Sequence, residues 1–340
     1  MPSNMYKEIC EIPEAISRLL SQSDGDMRAA GSKLKSLDPS VLVTVARGTS
    51  DHAASFLKYA VELQAGVPVA SLGPSLASIY NRTLKLKGSA ALAISQSGKS
   101  PDIVALAEMV TKSGAYSVGL INTIPSPLAD ASAAAISLAA GPELAVAATK
   151  TYFNSIVAGL FILAEWTEDE ELKKALALLP EQAEQALKLD WSALGNRLTD
   201  AQSLYFLGRG PSLAIAGEAA LKCKETCELH AEAYSSAEVL HGPVSLVGNG
   251  FPVLVFAAGD EAEMTAVDVA DQLASKSNEV FVTSSKAKAG HVLPRVEGAH
   301  PLTDALLQII PYYKMVEQLS RDRNFNPDSP AVLQKVTETL

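Results

Sequence analysis

The chain has 340 residues, 48% apolar and 19% charged, with 21 Gly and 18 Pro. These are globular values, which set aside disorder, collagen and coiled coil, and the length suits about two domains of roughly 150 residues. Lys and Arg total 28 against 38 Asp and Glu, a net charge of −10. That balance argues against a nucleic-acid partner, whose affinity comes largely from Lys and Arg neutralising phosphates.

An anionic ligand would have to be held locally, by helix N-termini and hydroxyls. Three Cys do not make a disulfide scaffold and fit a reducing, cytoplasmic setting. The first residues carry Lys7, Glu8, Glu11 and Glu14 and lack the apolar core of a signal peptide. The small-residue stretch 127–149 is broken by Asp130, Pro142 and Glu143, so no membrane span or membrane partner is expected.

Taken in chain order, apolar β-rich runs alternate with helical patterns. Residues 41–46 read as a buried strand. Over 51–64, Ala53, Phe56, Leu57, Ala60 and Val61 form one helical stripe. Strands follow at 90–95, 116–121 and 134–139, with a helix over 101–113 that has Pro101 in its first turn. Helices are predicted over 149–166 and 169–189, the second with a kink at Pro180. The pattern then restarts: strand 204–207, helix 212–229, strand 251–257, helix 261–275, strand 279–283, and helix 302–319 kinked at Pro311. Such alternation predicts an α/β fold with parallel sheets flanked by helices.

The restart is an internal repeat. Arg47, Gly48 and Ser50 recur 162 positions later as Arg209, Gly210 and Ser212, each time between a strand and a helix. A period near half the chain means two similar domains, not a solenoid. The expected domains are 1–190 and 191–340.

Three clusters can carry chemistry. Ser95-Gln96-Ser97-Gly98-Lys99-Ser100-Pro101 joins a strand to a helix, where open α/β sheets bind ligands. Its hydroxyls and free N–H groups can hold a phosphate, with Gly48-Thr49-Ser50 as a partner turn, although Ser-rich turns also serve simply as helix caps. Glu218, Lys222 and Glu225, spaced 4 and 3 apart, share one helix face; such a set is either a solvated pair or a partly buried carboxylate poised for proton transfer. His241, just before Gly242-Pro243, lies in a turn and can do acid–base work near neutral pH, while His230 reads as structural. Cys223 and Cys227 lack the further ligands of a zinc site and read as ordinary thiols.

Together these residues resemble the SIS (sugar isomerase) phosphosugar-binding family. More closely, they resemble the isomerase half of the glutamine–fructose-6-phosphate aminotransferases. The resemblance runs from residues 5–13 through Arg47-Gly48-Thr49-Ser50, Ser95-Gln96-Ser97-Gly98, Val146-Ala147-Ala148-Thr149-Lys150, Leu207-Gly208-Arg209-Gly210 and residues 218–243 to Lys335. It implies two tandem SIS domains, each a flavodoxin- or Rossmann-like three-layer sandwich. It implies that Gly48, Thr49, Ser50, Ser95, Gln96, Ser97, Ser100 and Val146 contact a hexose or hexosamine 6-phosphate. Glu225 would move a proton between C1 and C2, Lys222 and Glu218 would sit beside it, and His241 would open the ring from a neighbouring subunit of a homodimer. Lys335 would contact the open-chain sugar, with no metal or organic cofactor needed. Pro2 follows Met1 where the synthases begin a glutaminase with Cys, and Lys99-Ser100-Pro101-Asp102 resembles the stand-alone catabolic members. The expectation is therefore a glutamine-independent glucosamine-6-phosphate deaminase, with a galactosamine-6-phosphate deaminase, a fructosamine-6-phosphate deglycase or a non-catalytic phosphosugar sensor as alternatives.

Overall fold

The computed structural model describes residues 2–335. Three helices, α1 (Asn4–Cys10), α2 (Ile12–Gln22) and α3 (Asp24–Leu37), precede the first strand. Then come β1 (Leu42–Val45), α4 (Thr49–Gln64), β2 (Val69–Ser71), α5 (Ser75–Ser78), β3 (Ala90–Ser95), α6 (Pro101–Lys112), β4 (Tyr116–Ile121), α7 (Pro127–Ala131) and β5 (Ala134–Ser137). After α8 (Lys150–Thr167), α9 (Glu170–Ala186) and α10 (Ser192–Leu198), the alternation resumes with β6 (Ser203–Gly208), α11 (Pro211–Cys227) and β7 (His230–Ser235). Two 3₁₀ turns, Glu238–His241 and Pro243–Leu246, lead to β8 (Val253–Phe256), α12 (Glu263–Ala274), β9 (Val280–Val282), β10 (His291–Val292), α13 (Pro301–Leu307) and α14 (Ile309–Asp322).

The strands form two five-stranded sheets, ordered β2-β1-β3-β4-β5 and β10-β9-β8-β6-β7. Every neighbouring pair is parallel. Counted from its own first strand, each sheet has the order 2-1-3-4-5, the flavodoxin-like doubly wound arrangement. The α/β class with two parallel sheets is thus the observed architecture. The chain divides into two compact units, one of Met1–Pro13, Leu144–Thr149 and Leu178–Leu333, the other of Glu14–Glu143, Lys150–Ala177 and Gln334–Leu340. Each contains one sheet.

Inner strands are buried on both faces, which is why they read as unbroken apolar runs. In the β1–β5 unit, Val43, Val45, Ala91 and Ala93 pack with Ile103, Leu106 and Val110 of α6. In the other, Tyr205, Leu207, Val253 and Val255 pack with Val267, Ala270 and Leu273 of α12.

The helix expected over 302–319 is two helices meeting at Gln308. Pro311 has no N–H for the Leu307 carbonyl, so the ladder breaks there, and Pro311 falls in the first turn of α14, where the missing donor costs nothing. Pro180 lies inside α9. The helix expected to reach Leu229 stops at Cys227, with Glu228 in the left-handed region at φ 47, and its polar sequel His230–Ser235 forms the edge strand β7.

Candidate functional site

In the β1–β5 unit the order reverses between β1 and β3, and there the two candidate turns stand at the carboxyl ends of adjacent strands. Gly48, the residue before α4, has φ 57 and ψ −131, a conformation that only glycine adopts without strain. Gly98 has φ 64, and a Cβ there would come within 2.3 Å of the Ser126 hydroxyl. The loop is held from within: the Gly98 N–H donates to Ser95 Oγ at 2.9 Å and the Lys99 N–H to Ser97 Oγ at 3.3 Å. Accepting these bonds leaves each hydroxyl proton free to donate to an anion. Ser100 precedes α6 without capping it through its side chain. Ser50 and Thr49 occupy the first turn of α4, and Gln96 is half-buried. Both helices are long enough for their first-turn N–H groups and dipoles to favour negative charge.

Sequence reading missed the clamp on these turns. Arg47, just before Gly48, forms an ion pair with Asp102 in the first turn of α6. Asp102 is buried and also accepts the Ile103 N–H at 2.9 Å. The cue was available: Arg47 and Asp102 each sit beside a candidate turn in the sequence.

In the β6–β10 unit, Glu218, Lys222 and Glu225 lie along one face of α11. Glu218 and Lys222 are fully buried, which removes the solvated-pair reading. Lys222 Nζ donates to Glu225 Oε2 at 2.6 Å and lies 3.2 Å from Glu218 Oε1. The Tyr313 hydroxyl of α14 donates to Glu218 Oε1 at 2.9 Å. Burial, more than the nearby charges, pushes the Glu218 carboxyl up to about 7. Burial acts to lower Lys222, but the two carboxylates outweigh it and raise the ammonium above its ordinary value. A charged lysine between two carboxylates, one of them partly open to solvent, can support proton transfer at a bound substrate. Tyr313 was not legible as part of this group, since 95 residues separate it from Glu218.

The remaining candidates are dispersed. His241 ends the first 3₁₀ turn and is exposed. His230 Nδ1 pairs with Ser203 Oγ at 2.9 Å, a structural bond. The Val146 N–H donates to the Asp328 carbonyl at 3.0 Å, and the adjoining Leu144 and Ala145 N–H groups donate to the buried Glu8 carboxylate. In the β1–β5 unit, Lys335 Nζ lies 3.4 Å from Glu143 Oε2, which also accepts the Thr151 hydroxyl at 2.6 Å. Cys223 and Cys227 are buried, and burial pushes the Cys227 thiol up to about 11, so these are inert thiols. Among the described residues no cluster of three or more His, Cys, Asp or Glu could hold a metal ion, and no helix is long and apolar enough to cross a membrane.

The SIS domain model matches residues 38–164 and 197–288, which covers both sheets through most of their length. The chain belongs to the SIS domain family. It is 33% identical over 340 residues to the glutamine–fructose-6-phosphate aminotransferase (isomerizing) of Sulfurisphaera tokodaii, covering 98% of this chain and 56% of that protein. The chain thus spans about half the length of the curated relatives it matches. Among solved structures, a chain from Silicibacter pomeroyi, provisionally described as a phosphosugar isomerase, is 50% identical with a TM-score of 0.91, over 96% of this chain and 100% of that one. The C-terminal domain of glucosamine-fructose-6-phosphate aminotransferase from Francisella tularensis is 26% identical with a TM-score of 0.83, over 97% and 99% of the two chains. The two SIS domains here are the two sheets and their helices, and the Ser95–Ser100 loop and α11 both fall inside the matched segments.

Proposed function

We propose that the chain is a phosphosugar isomerase acting as a glucosamine-6-phosphate deaminase: glucosamine 6-phosphate and water give fructose 6-phosphate and ammonia. The observation that carries this reading is the buried Glu218–Lys222–Glu225 group, with its one partly exposed carboxylate at Glu225. A solvated surface triad would need no such burial, and a mere phosphosugar sensor would need no such carboxylate.

In this reading Ser50, Ser95, Gln96, Ser97 and Ser100, with the first-turn N–H groups of α4 and α6, bind the phosphate. His241 assists opening of the ring. Glu225 takes the C2 proton of the open-chain amino aldose and returns it at C1. The electron pair of the C2–H bond forms the C1=C2 enaminol, and protonation at C1 leaves a C2 imine. Water adds at C2 and ammonia departs. Lys222 stabilises the oxyanion that develops during enolisation, an electrostatic contribution that grows in a desolvated pocket. Lys335 and the Val146 backbone contact the open chain. The three free thiols suit the cytoplasm, where sugar phosphates are metabolised.

The test is ammonia release across a panel of glucosamine 6-phosphate, galactosamine 6-phosphate and fructosamine 6-phosphate. Release from the first alone supports the reading, and release from another substrate only replaces it with a sister activity. Binding without turnover of any of them leaves a sensor. Glu225→Gln should lower kcat by 10²-fold or more, in the range of losing a general base. A Glu225→Gln protein working at the wild-type rate would remove the proposed base.

A further inference from the structure

The Tyr313 hydroxyl reaches Glu218 from a separate helix, although neither group is placed to touch a proton on the sugar in the reading above. Lys222 lies between two carboxylates at unequal distances, 2.6 Å from Glu225 and 3.2 Å from Glu218. Glu218 Oε2 is buried and has no hydrogen-bond partner among the described residues. One ammonium beside two carboxylates, one fully buried and one partly open to solvent, leaves one uncompensated negative charge, which a proton on the buried Glu218 carboxyl removes.

We propose that Tyr313 and Glu218 are positioning residues that gate the Glu225 base by the protonation of Glu218. When Glu218 is ionised, it shares Lys222 and its charge strengthens Glu225 as a base. When Glu218 is protonated, Lys222 closes on Glu225 alone and holds it in an ion pair. The inference rests on the reading that Glu225 transfers the proton.

The surroundings support the assignment. The groups acting on Glu218 are Lys222 and Glu225 of its own helix and Tyr313 of α14. Tyr312, beside Tyr313, gives its hydroxyl to the Ala219 carbonyl at 2.6 Å. The other elements packed on α11 are β6, β7, β8 and α13. The titratable side chains of these elements do not bear on Glu218: His230 pairs with Ser203, Glu232 with Tyr234, and Asp304 with Gly259, Gly298 and Arg295, while the buried Tyr205 hydroxyl, pushed up by burial, stays neutral. From the rest of α14, Lys314 reaches the Leu187 carbonyl, Glu317 accepts from Ser3, and Arg321 pairs with Glu317. Burial sets the Glu218 carboxyl near neutrality and the Tyr313 bond acts to lower it, so loss of that bond must move its ionisation to higher pH.

The experiment measures kcat and KM against pH on glucosamine 6-phosphate for the wild type, Tyr313→Phe and Glu218→Gln. It also follows the side-chain carboxyl carbons in carbon-13 glutamate-labelled protein without substrate. The wild type should gain rate through an acid limb near 7. In Tyr313→Phe that limb should move up by about one pH unit, the scale of one hydrogen bond to a charged group, with KM unchanged. Glu218→Gln should lose the limb and stay at the low-pH rate, about tenfold below the wild-type maximum. A limb unmoved in Tyr313→Phe, or a full high-pH rate in Glu218→Gln, overturns the proposal. The carboxyl titration needs no turnover and keeps the two readings apart. A Glu218 signal near 7 that rises in Tyr313→Phe supports the pairing even if no sugar is turned over, and a signal that stays in place refutes it. Should Tyr313→Phe fail to fold, the wild-type signal compared with Glu218→Gln still decides: no carboxyl titrating near 7 and lost in that variant refutes the gate.

Discussion

Helices α4 and α11 begin alike and then part company. Each follows the first strand of its sheet through a glycine in nearly the same conformation, φ 57 and ψ −131 at Gly48, φ 57 and ψ −134 at Gly210. With that shift of 162 positions, Phe56 corresponds to Glu218, Ala60 to Lys222 and Leu63 to Glu225. Phe56 and Ala60 are fully buried, and so are Glu218 and Lys222. The frame therefore buries these positions whatever they carry, and only the second copy puts charges there. The loops after the third strands show the reverse. Ser95–Ser100 presents hydroxyls, whereas the matching loop is closed by carboxylates of its own unit. The Gly259 N–H donates to Asp304 Oδ2 at 2.7 Å, Gly298 N–H to Oδ1 at 2.8 Å, and Arg295 lies 3.2 Å from Oδ2. Glu263 accepts from Ser284 at 2.8 Å and pairs with Arg295 and Lys286. One copy keeps an anion-ready loop and apolar residues at the matching helix positions; the other keeps charges at those helix positions and a loop whose anion position its own carboxylates fill.

The comparison breaks most readily at Asp304. Asp304→Ala strips two N–H groups and a guanidinium, largely buried, of one shared acceptor, and should cost about 3–5 kcal/mol in urea unfolding. Ser97→Ala, in the matching loop, should cost no more than about 0.5 kcal/mol. Equal costs would mean the two loops do not differ in kind.

The next effect is a pH dependence confined to α11. Glu218 is raised from 4.5 to about 7 in the folded protein, mainly by burial. A raised carboxyl favours folding fully below its unfolded value, and that contribution is lost as pH climbs through about 7. It amounts to about 3 kcal/mol at most. Glu218→Gln lacks this dependence, so the wild type should lose stability relative to it between pH 4.5 and pH 8. Phe56→Leu, at the matching place in α4, should cost about 1–2 kcal/mol equally at both pH values. A wild type and Glu218→Gln that change in parallel with pH would show that the burial of Glu218 is already compensated by Lys222.

The strand–helix alternation was legible because inner strands are apolar on both faces and their partner helices carry a single apolar stripe. The repeat was legible because Gly48 and Gly210 meet the same backbone demand. The edges were not. Strand β7 reads as polar because an edge strand is half exposed, and β2 and β10 are only 3 and 2 residues long. The three leading helices passed unassigned, although α2 carries a well-separated apolar face in Ile12, Ala15, Ile16 and Leu19. At the candidate site, Glu218, Lys222 and Glu225 were found by helical spacing, a local signal. Tyr313 was not, because only the fold brings it to a helix 95 residues away, and the Arg47–Asp102 pair was missed although each partner flanks a candidate turn, because nothing local joins the two turns.

The smallest effect sharpens the comparison most finely, at the two serines that follow the matching glycines. Ser50 is partly exposed in the first turn of α4, while Ser212 is buried and its hydroxyl has no hydrogen-bond partner among the described residues. Ser50→Ala should weaken glucosamine 6-phosphate binding to the Glu225→Gln protein about threefold to tenfold by calorimetry, the worth of one ordinary, partly exposed hydrogen bond, and leave stability within about 0.5 kcal/mol. Ser212→Ala should leave binding unchanged and raise stability by up to about 1 kcal/mol, since it removes a buried hydroxyl that folding leaves unsatisfied. The two serines occupy the same place in the same turn, so only the surroundings can separate them. Equal losses of binding would give the second turn a share in holding the phosphate, and the division of labour between the copies would have to be abandoned.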